Sequence, residues 1–335
     1  CRELHATGAM LPAIAYLITS VLENRLHLYR TLKMHPEIKD VPIEDPVFIL
    51  GLNRTGTTFL HRLLEASGAL AAPYFEDQFC LLPAEKVAKP TQYDLKAQAT
   101  SVESMLNYFI HEGVGEAHDM TLGIPEEDMF AHLSSFHCDF WNIVHYLPMY
   151  RSWLDSQPMN EVYLEHRRWM QYMAWSRQRG GNAPNTQKWQ RWCFKLPWHA
   201  RSLEALYQVY PDSRIIHTHR RPTDVVGSWC SLVEHIRTRN QYSVDRQRLG
   251  EEQVAFMEET LDRARMFRME HPELEDSWLD VKYSDLVSTP DKVAIDVLTN
   301  LGISLNQSML RNIAKYLSEN RSKRTGRTKH INNIH

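Results

Sequence analysis

Cysteine is scarce and scattered. Cys1, Cys80, Cys138, Cys193 and Cys230 are odd in number and form no CxxC pair, which argues against a disulfide framework or a structural zinc site and for reduced thiols in a core. A charge excess is also missing: 38 basic side chains against 41 acidic ones leave a formal charge of -3. Broad electrostatic attraction to nucleic acid or anionic lipid is thereby excluded, and any bound anion needs local donors. No long hydrophobic run is present either. The longest, 8–22, is interrupted by Pro12 and runs into Glu23 and Arg25; it is too short to span a bilayer and is expected to be a buried helix. A cytoplasmic protein is expected, with an upstream targeting or anchor segment left open by a first residue, Cys1, that is not Met. Repeats, low-complexity tracts and Gly/Ser linkers are absent, and Gly180, Gly181, Asn182 and Pro184 mark one loop, so the 335 residues are expected to form a single domain.

What the chain does contain is a recurring unit of short apolar run, turn and amphipathic helix. Residues 47–50 precede a helical pattern carrying Phe59, Leu60, Leu63 and Leu64; residues 214–218 lead through Pro222 to Val225, Val226, Trp229 and Leu232. A third unit follows 278–281, where Thr289 precedes a helix with Pro290 at its first position and Gly302 beyond its end. Strands alternating with helices predict an α/β fold of three layers, a central parallel sheet flanked by helices. Residues 101–177 interrupt this rhythm with a helical, aromatic stretch including Trp141, Tyr146, Trp153, Trp169 and Trp175, which suits either core packing or a mostly apolar acceptor pocket.

Between the first strand and helix lies Gly51, Leu52, Asn53, Arg54, Thr55, Gly56, Thr57, Thr58. Unpaired N–H groups and the helix dipole make such a turn an anion cradle. It nearly matches the GxxxxGK[ST] nucleotide loop, but Thr57 stands where a lysine would reach the β and γ phosphates of ATP, and Arg54 supplies the cation. ATP or GTP hydrolysis is therefore disfavoured. A second anion site is suggested at 219–228, where Arg220 at a strand end is followed eight positions later by Ser228 in the next helix. His217 and His219 alternate along that strand, yet no third ligand is signalled and no metal is expected.

With both motifs in order, the chain resembles the PAPS-dependent sulfotransferases, in particular the broad group that includes tyrosylprotein-type and many small-molecule enzymes. The resemblance extends through the KxP segment at Lys195 to Pro197 and the TyrSerAspLeu segment at Tyr283 to Leu286. It implies a P-loop-like fold with a helical acceptor-side insertion: a helical lead-in (1–42), the phosphosulfate loop and first βα unit (46–100), the acceptor-side region (101–190), and the 3'-phosphate site with the C-terminal part (191–335). The donor would be PAPS (3'-phosphoadenosine 5'-phosphosulfate), the product PAP, and the acceptor a hydroxyl on a small molecule, peptide or glycan. Arg54, Thr55, Gly56, Thr57 and Thr58 would hold the phosphosulfate, Arg220 and Ser228 the 3'-phosphate. Tyr283 and Lys329, the latter in a basic Gly-containing stretch at 324–330 resembling a loop over the nucleotide, would complete the site.

Sulfuryl transfer requires a base for the acceptor hydroxyl and positive charge or N–H donors at the leaving phosphate, which Arg54 and Lys195 can supply without a metal. Glu76, 22 residues after Arg54, resembles the glutamate base of the tyrosylprotein and heparan types; His199, His118 and the pair Glu126 and Glu127 are the alternatives, the pair also reading as an acidic helix start. Three competing activities stay open: an ATP-dependent small-molecule kinase, a catalytically inactive nucleotide-binding module, and sulfation followed by elimination.

Overall fold

Val47–Gly51 is an uncharged run in which every residue is buried, and its two sets of alternating side chains enter two different cores. In a computed structural model that describes residues 10–79, 82, 84–87, 89–109, 122–180, 191–240 and 243–331, this strand, β1, is central. It pairs in parallel with Cys193–Lys195 (β2) on one side and Arg214–His219 (β3) on the other, and β3 pairs in parallel with Trp278–Lys282 (β4), giving the order β2-β1-β3-β4. A strand buried on both faces reads as a continuous apolar run, as expected for a parallel sheet covered by helices.

On one face Val47, Ile49, Cys193 and Ile216 meet Leu60, Leu63 and Leu64 of helix α2 (Thr57–Ala66), together with Val293, Val297 and Leu298. On the other, Phe48, Leu50, Phe194 and Ile215 meet Trp169, Met170 and Met173 of the helix Asn160–Gly180, with Leu206, Tyr210 and Phe267. Helices on both faces of the parallel sheet make the three layers that the strand and helix pattern predicts. The helix Pro290–Asn300 begins after Thr289 and Gly302 lies beyond its end with a positive φ of 75°; the Thr289 hydroxyl, however, donates back to the Asp285 carbonyl rather than capping forward.

Two sequence expectations change and one left open is narrowed. The first helix, α1, runs Met10–Met34 and buries only one side: Leu17, Val21 and Leu28 are inward, while Leu11, Leu22 and Leu26 are exposed. Among the described residues no helix is long and apolar enough to cross a membrane. The aromatic stretch serves largely as core, since Trp141, Trp169, Tyr172 and Trp175 are buried, with Trp153 the more exposed exception at 41%. Residues 324–330 belong to the helix Gln307–Ile331 instead of a loop; arginine and lysine are good helix formers that continue it. The side chain of Lys329, the expected loop residues Gly181, Asn182 and Pro184, His118, Cys1 and Cys80 lie outside the described residues. Cys138, Cys193 and Cys230 are free thiols.

Gly51 closes β1 with φ +143°, and a Cβ there would meet the Thr218 carbonyl oxygen and Oγ1 at 2.6 Å. Strained backbone and overpacking each cost on the order of 1–3 kcal/mol. Gly51→Ala is therefore expected to lower unfolding stability by about 2–4 kcal/mol in urea titration with an unchanged m-value; a loss below about 0.5 kcal/mol would show that the strand end yields freely.

Candidate active site

All four strands run parallel, so their C-terminal ends gather along one edge, the usual position of a ligand crevice in open α/β sheets. The turn after β1, Lys195 at the end of β2, Arg220 directly after β3 and Tyr283 directly after β4 all lie on that edge.

The turn at 51–56 is held open by left-handed backbone: Arg54 has φ 67° and Gly56 φ 91°. Thr55 braces it from below, its hydroxyl donating to the Leu52 carbonyl and lying 2.6 Å from Thr218 Oγ1. Gly56 is the N-cap of α2 and carries no side chain to satisfy the first amides, which leaves N–H groups and the positive end of the dipole available to an anion. A Cβ at Gly56 would press on Leu286 and Tyr283 at 2.9 and 3.1 Å, so glycine is needed for contact as well as for φ.

Two of the sequence motifs converge here. Arg54 Nε donates to Ser228 Oγ at 3.2 Å, and Arg220 Nη1 donates to the Arg54 carbonyl at 3.0 Å. The Arg220 guanidinium stacks 4.3 Å from the centre of the Tyr283 ring, and its buried Nε has no hydrogen-bond partner among the described residues. Arg54, Ser228, Arg220 and Tyr283, far apart in sequence, thus form one cationic cluster beside the cradle.

Lys195 is fully buried, and its Nζ donates to Glu127 Oε1 at 2.7 Å and to Thr58 Oγ1 at 3.1 Å. In the sequence Glu127 reads either as an alternative base or as part of an acidic helix start. A short helix does begin at Met129, but Glu126 turns back to accept the Glu127 N–H and Glu127 reaches Lys195 instead of the helix dipole. That pairing joins positions 68 residues apart, which no local spacing reveals. The 125–127 segment is also stitched to 73–78: Glu126 N donates to Pro73 O, and Gln78 Nε2 to Glu127 O.

Glu76 lies on the same wall. Its Oε1 accepts the Gly123 N–H at 2.8 Å, and its Oε2 is buried with no partner among the described residues. Burial raises its pKa above the ordinary carboxyl range. Phe75 and Phe79 flank it and pack against Phe130, with ring centres 4.7–5.5 Å apart.

His199, one of the alternatives for the base in the sequence, is enclosed. It is 1% exposed; Nε2 contacts Asp128 Oδ2 at 2.9 Å and Nδ1 contacts the Tyr163 hydroxyl at 2.8 Å. Asp128 also meets His166 Nε2 at 2.7 Å, and His166 Nδ1 meets the Tyr210 hydroxyl. With both ring nitrogens engaged, His199 belongs to a buried polar network behind the wall. Asp128, the centre of that network, goes unnoticed in the sequence, where it reads only as the last acid of a run.

A family model, the sulfotransferase family, matches residues 46–307. Among curated proteins the chain is similar to the omega-hydroxy-beta-dihydromenaquinone-9 sulfotransferase Stf3 of Mycobacterium bovis, 24% identical over 327 residues that cover 93% of this chain and 77% of that protein. Among solved structures it is similar to sulfotransferase STF1 from Mycobacterium tuberculosis, with 25% identity and a TM-score of 0.76 over 94% of this chain and 82% of that one. The fold is also shared with sulfotransferase STF9 from Mycobacterium avium, at 22% identity and a TM-score of 0.77 over 94% and 78% of the two chains.

The Lys195 and Glu127 side chains are 0% and 16% exposed, so removing the acid strands a buried ammonium. Glu127→Gln should cost about 1–3 kcal/mol, less than a fully enclosed pair because one partner reaches solvent. Adding Lys195→Met should recover most of that loss in urea unfolding; a double variant as unstable as the single one would mean that the ion pair is not what the wall rests on.

Proposed function

Because the chain belongs to the sulfotransferase family, and so moves a sulfuryl group from PAPS to a hydroxyl acceptor, we propose which of its residues perform each part of that transfer. The α2 amides with Arg54, Thr57 and Thr58 hold the 5'-phosphosulfate. Arg220 and Ser228 hold the 3'-phosphate, and Tyr283 keeps the Arg220 guanidinium flat against the site. The observation that carries this assignment is that Arg54 Nε donates to Ser228 Oγ and Arg220 Nη1 donates to the Arg54 carbonyl, which gathers two guanidinium groups and a hydroxyl beside the cradle, a donor set suited to an anion.

Lys195 is placed beside Thr58 at the mouth of the cradle. Its ammonium, with Arg54 and the loop N–H groups, can stabilise charge gathering on the phosphate oxygen as the sulfur–oxygen bond breaks. Glu76 takes the proton from the acceptor hydroxyl while that oxygen forms its bond to sulfur, and PAP departs with the electron pair. Glu76 is preferred over Glu127 because one Glu76 oxygen is uncommitted among the described residues, whereas Glu127 is engaged by Lys195. The residues supply the positive charge themselves, and we assign no metal to the chemical step.

For the acceptor we favour a small molecule with an apolar body. Phe75, Phe79, Phe130, Trp141 and Trp198 form one apolar cluster with Leu52 of the cradle and Leu196 next to Lys195. A similar preference fits the relative whose name specifies a hydroxylated dihydromenaquinone.

Two measurements test these assignments. In calorimetry without metal, PAP should bind far more tightly than AMP or ATP, and Arg220→Ala should erase about 10- to 100-fold of that preference, the value of a charge-assisted hydrogen bond; equal affinity for AMP and PAP would remove Arg220 and Ser228 from the 3'-phosphate. For the base, Glu76 must be ionised. Its raised pKa places the acid limb of the pH–rate profile above the usual ~4.3. Glu76→Gln should cut turnover by about 10²–10⁴-fold and abolish that limb with little change in PAP affinity. A carboxyl whose pKa is raised by folding favours the folded state at low pH and loses that contribution as pH rises through its folded pKa, so the same substitution should also increase stability at neutral pH. An unchanged acid limb in Glu76→Gln would pass the role to another group.

A further inference from the structure

His217 and His219 belong to no part of the nucleotide site described above, and the sequence offers them no third partner. The sheet does. Residues two apart on a strand share a face, and the parallel register of β3 with β4 sets Asp280 opposite His217. His219 Nε2 lies 2.6 Å from Asp280 Oδ1, and His217 Nδ1 lies 3.9 Å from the same oxygen. The three ligand atoms fall within 4.8 Å of one another. The His217 side chain is 8% exposed, and its buried Nδ1 has no hydrogen-bond partner among the described residues although it faces this carboxylate. Leaving such a buried nitrogen unsatisfied is costly unless something occupies the space before it.

We propose that His217 Nδ1, His219 Nε2 and Asp280 Oδ1 form a binding site for a divalent transition-metal ion of the zinc class, with the remaining coordination position open to water. Two imidazoles and one carboxylate suit such an ion. Zinc bonds of about 2.0–2.2 Å at tetrahedral angles hold ligand atoms roughly 3.4 Å apart, between the two separations seen here, so sub-ångström side-chain movements complete the site. His219 and Asp280 side chains are 42% and 45% exposed, which gives an ion a route in.

Arg268 is the competing cation, with Nη1 at 2.9 and 3.1 Å from the two Asp280 oxygens. Arg268 Nη1 is nearer Oδ1, the oxygen facing the histidines; a carboxylate offers about four lone-pair positions, so Arg268 can shift to Oδ2 and keep hold of Asp280 as an outer support while Oδ1 binds metal. On binding, the His219 Nε2 proton moves to Nδ1 or to solvent, the lone pair is given to the ion, and no oxidation or reduction occurs. The ion would tie β3 to β4 one residue before Arg220 leaves the sheet, bracing the strand end without entering the reaction.

The full chain, freed of metal by chelator and titrated calorimetrically with zinc chloride, should bind one ion at low micromolar concentration or tighter, and cobalt(II) should give the intense visible bands of a four-coordinate ion. His219→Ala, a partly exposed change, should weaken zinc binding at least about 100-fold, more than loss of an outer support, and Asp280→Asn should act likewise; His166→Ala, in the separate buried network around Asp128, should leave it unchanged. Absence of stoichiometric binding, or binding that survives in His219→Ala and Asp280→Asn, overturns the site. PAP affinity measured on the same metal-free chain reports on the nucleotide assignments independently, so failure of either proposal is distinguishable from failure of the other.

Discussion

The arrangement rests on the two-sided pairing of β1. A strand hydrogen-bonded on both edges and buried on both faces has no freedom of register, because a slip of one residue would exchange Phe48 and Ile49 between two cores of different shape. Its fixed register then fixes everything at its C-terminal end. Gly51 is brought against Thr218, Ile49 against Lys195, and the turn that follows is pressed between the residues leaving the neighbouring strands. The cationic cluster beside the cradle is thus a product of sheet geometry, and no loop has to find it.

The wall that faces the cradle is built by a different device. Asp128, His166, His199, Tyr163 and Tyr210 form a buried hydrogen-bonded chain behind it, and the next residue toward the site is Glu127, in contact with Lys195. A buried carboxylate is expensive unless its oxygens are satisfied, and the two imidazoles on Asp128 Oδ2 hold the backbone from which Glu127 extends. One segment away, burial raises the pKa of Glu76, and among the described residues no ion pair to it compensates. Such local cost is common where a group must stay reactive.

Much of this was legible in the chain, and the exceptions share a cause. Residues 47–50, 214–218 and 278–281 are apolar enough, and bounded by clear enough turns, to be recognised as strands, each of which runs one residue further in the fold. β2 spans only Cys193–Lys195, too short for any periodicity to register. The loop from Gly51 to Thr58 and the Arg220 and Ser228 pair stood out because a cradle and a strand-end arginine each carry local signatures. Glu127 meeting Lys195, Asp128 bridging two histidines, and Asp280 facing His217 depend on which segments lie side by side, and that is settled by register and burial over the whole sheet. His199 illustrates the converse: its nearness to Lys195 in sequence suggested an acid–base role, but the turn at Pro197–Arg201 points it inward.

The missing loop lysine follows from the same geometry. In a GxxxxGK[ST] loop the lysine follows the second glycine and reaches phosphates beyond the cradle; here that position is Thr57, which is buried. The ammonium arrives from β2 instead, where Lys195 contacts Thr58 from the neighbouring strand. A charge supplied from a strand end is anchored by the sheet and by Glu127, whereas one on the loop would move with it. The arginines complete the contrast, since Arg54 and Arg220 lie toward β3 while Lys195 lies toward β2. Positive charge therefore flanks the cradle on both sides rather than extending from its tip, an arrangement suited to a donor with anionic groups at two separated points and poorly suited to a linear triphosphate.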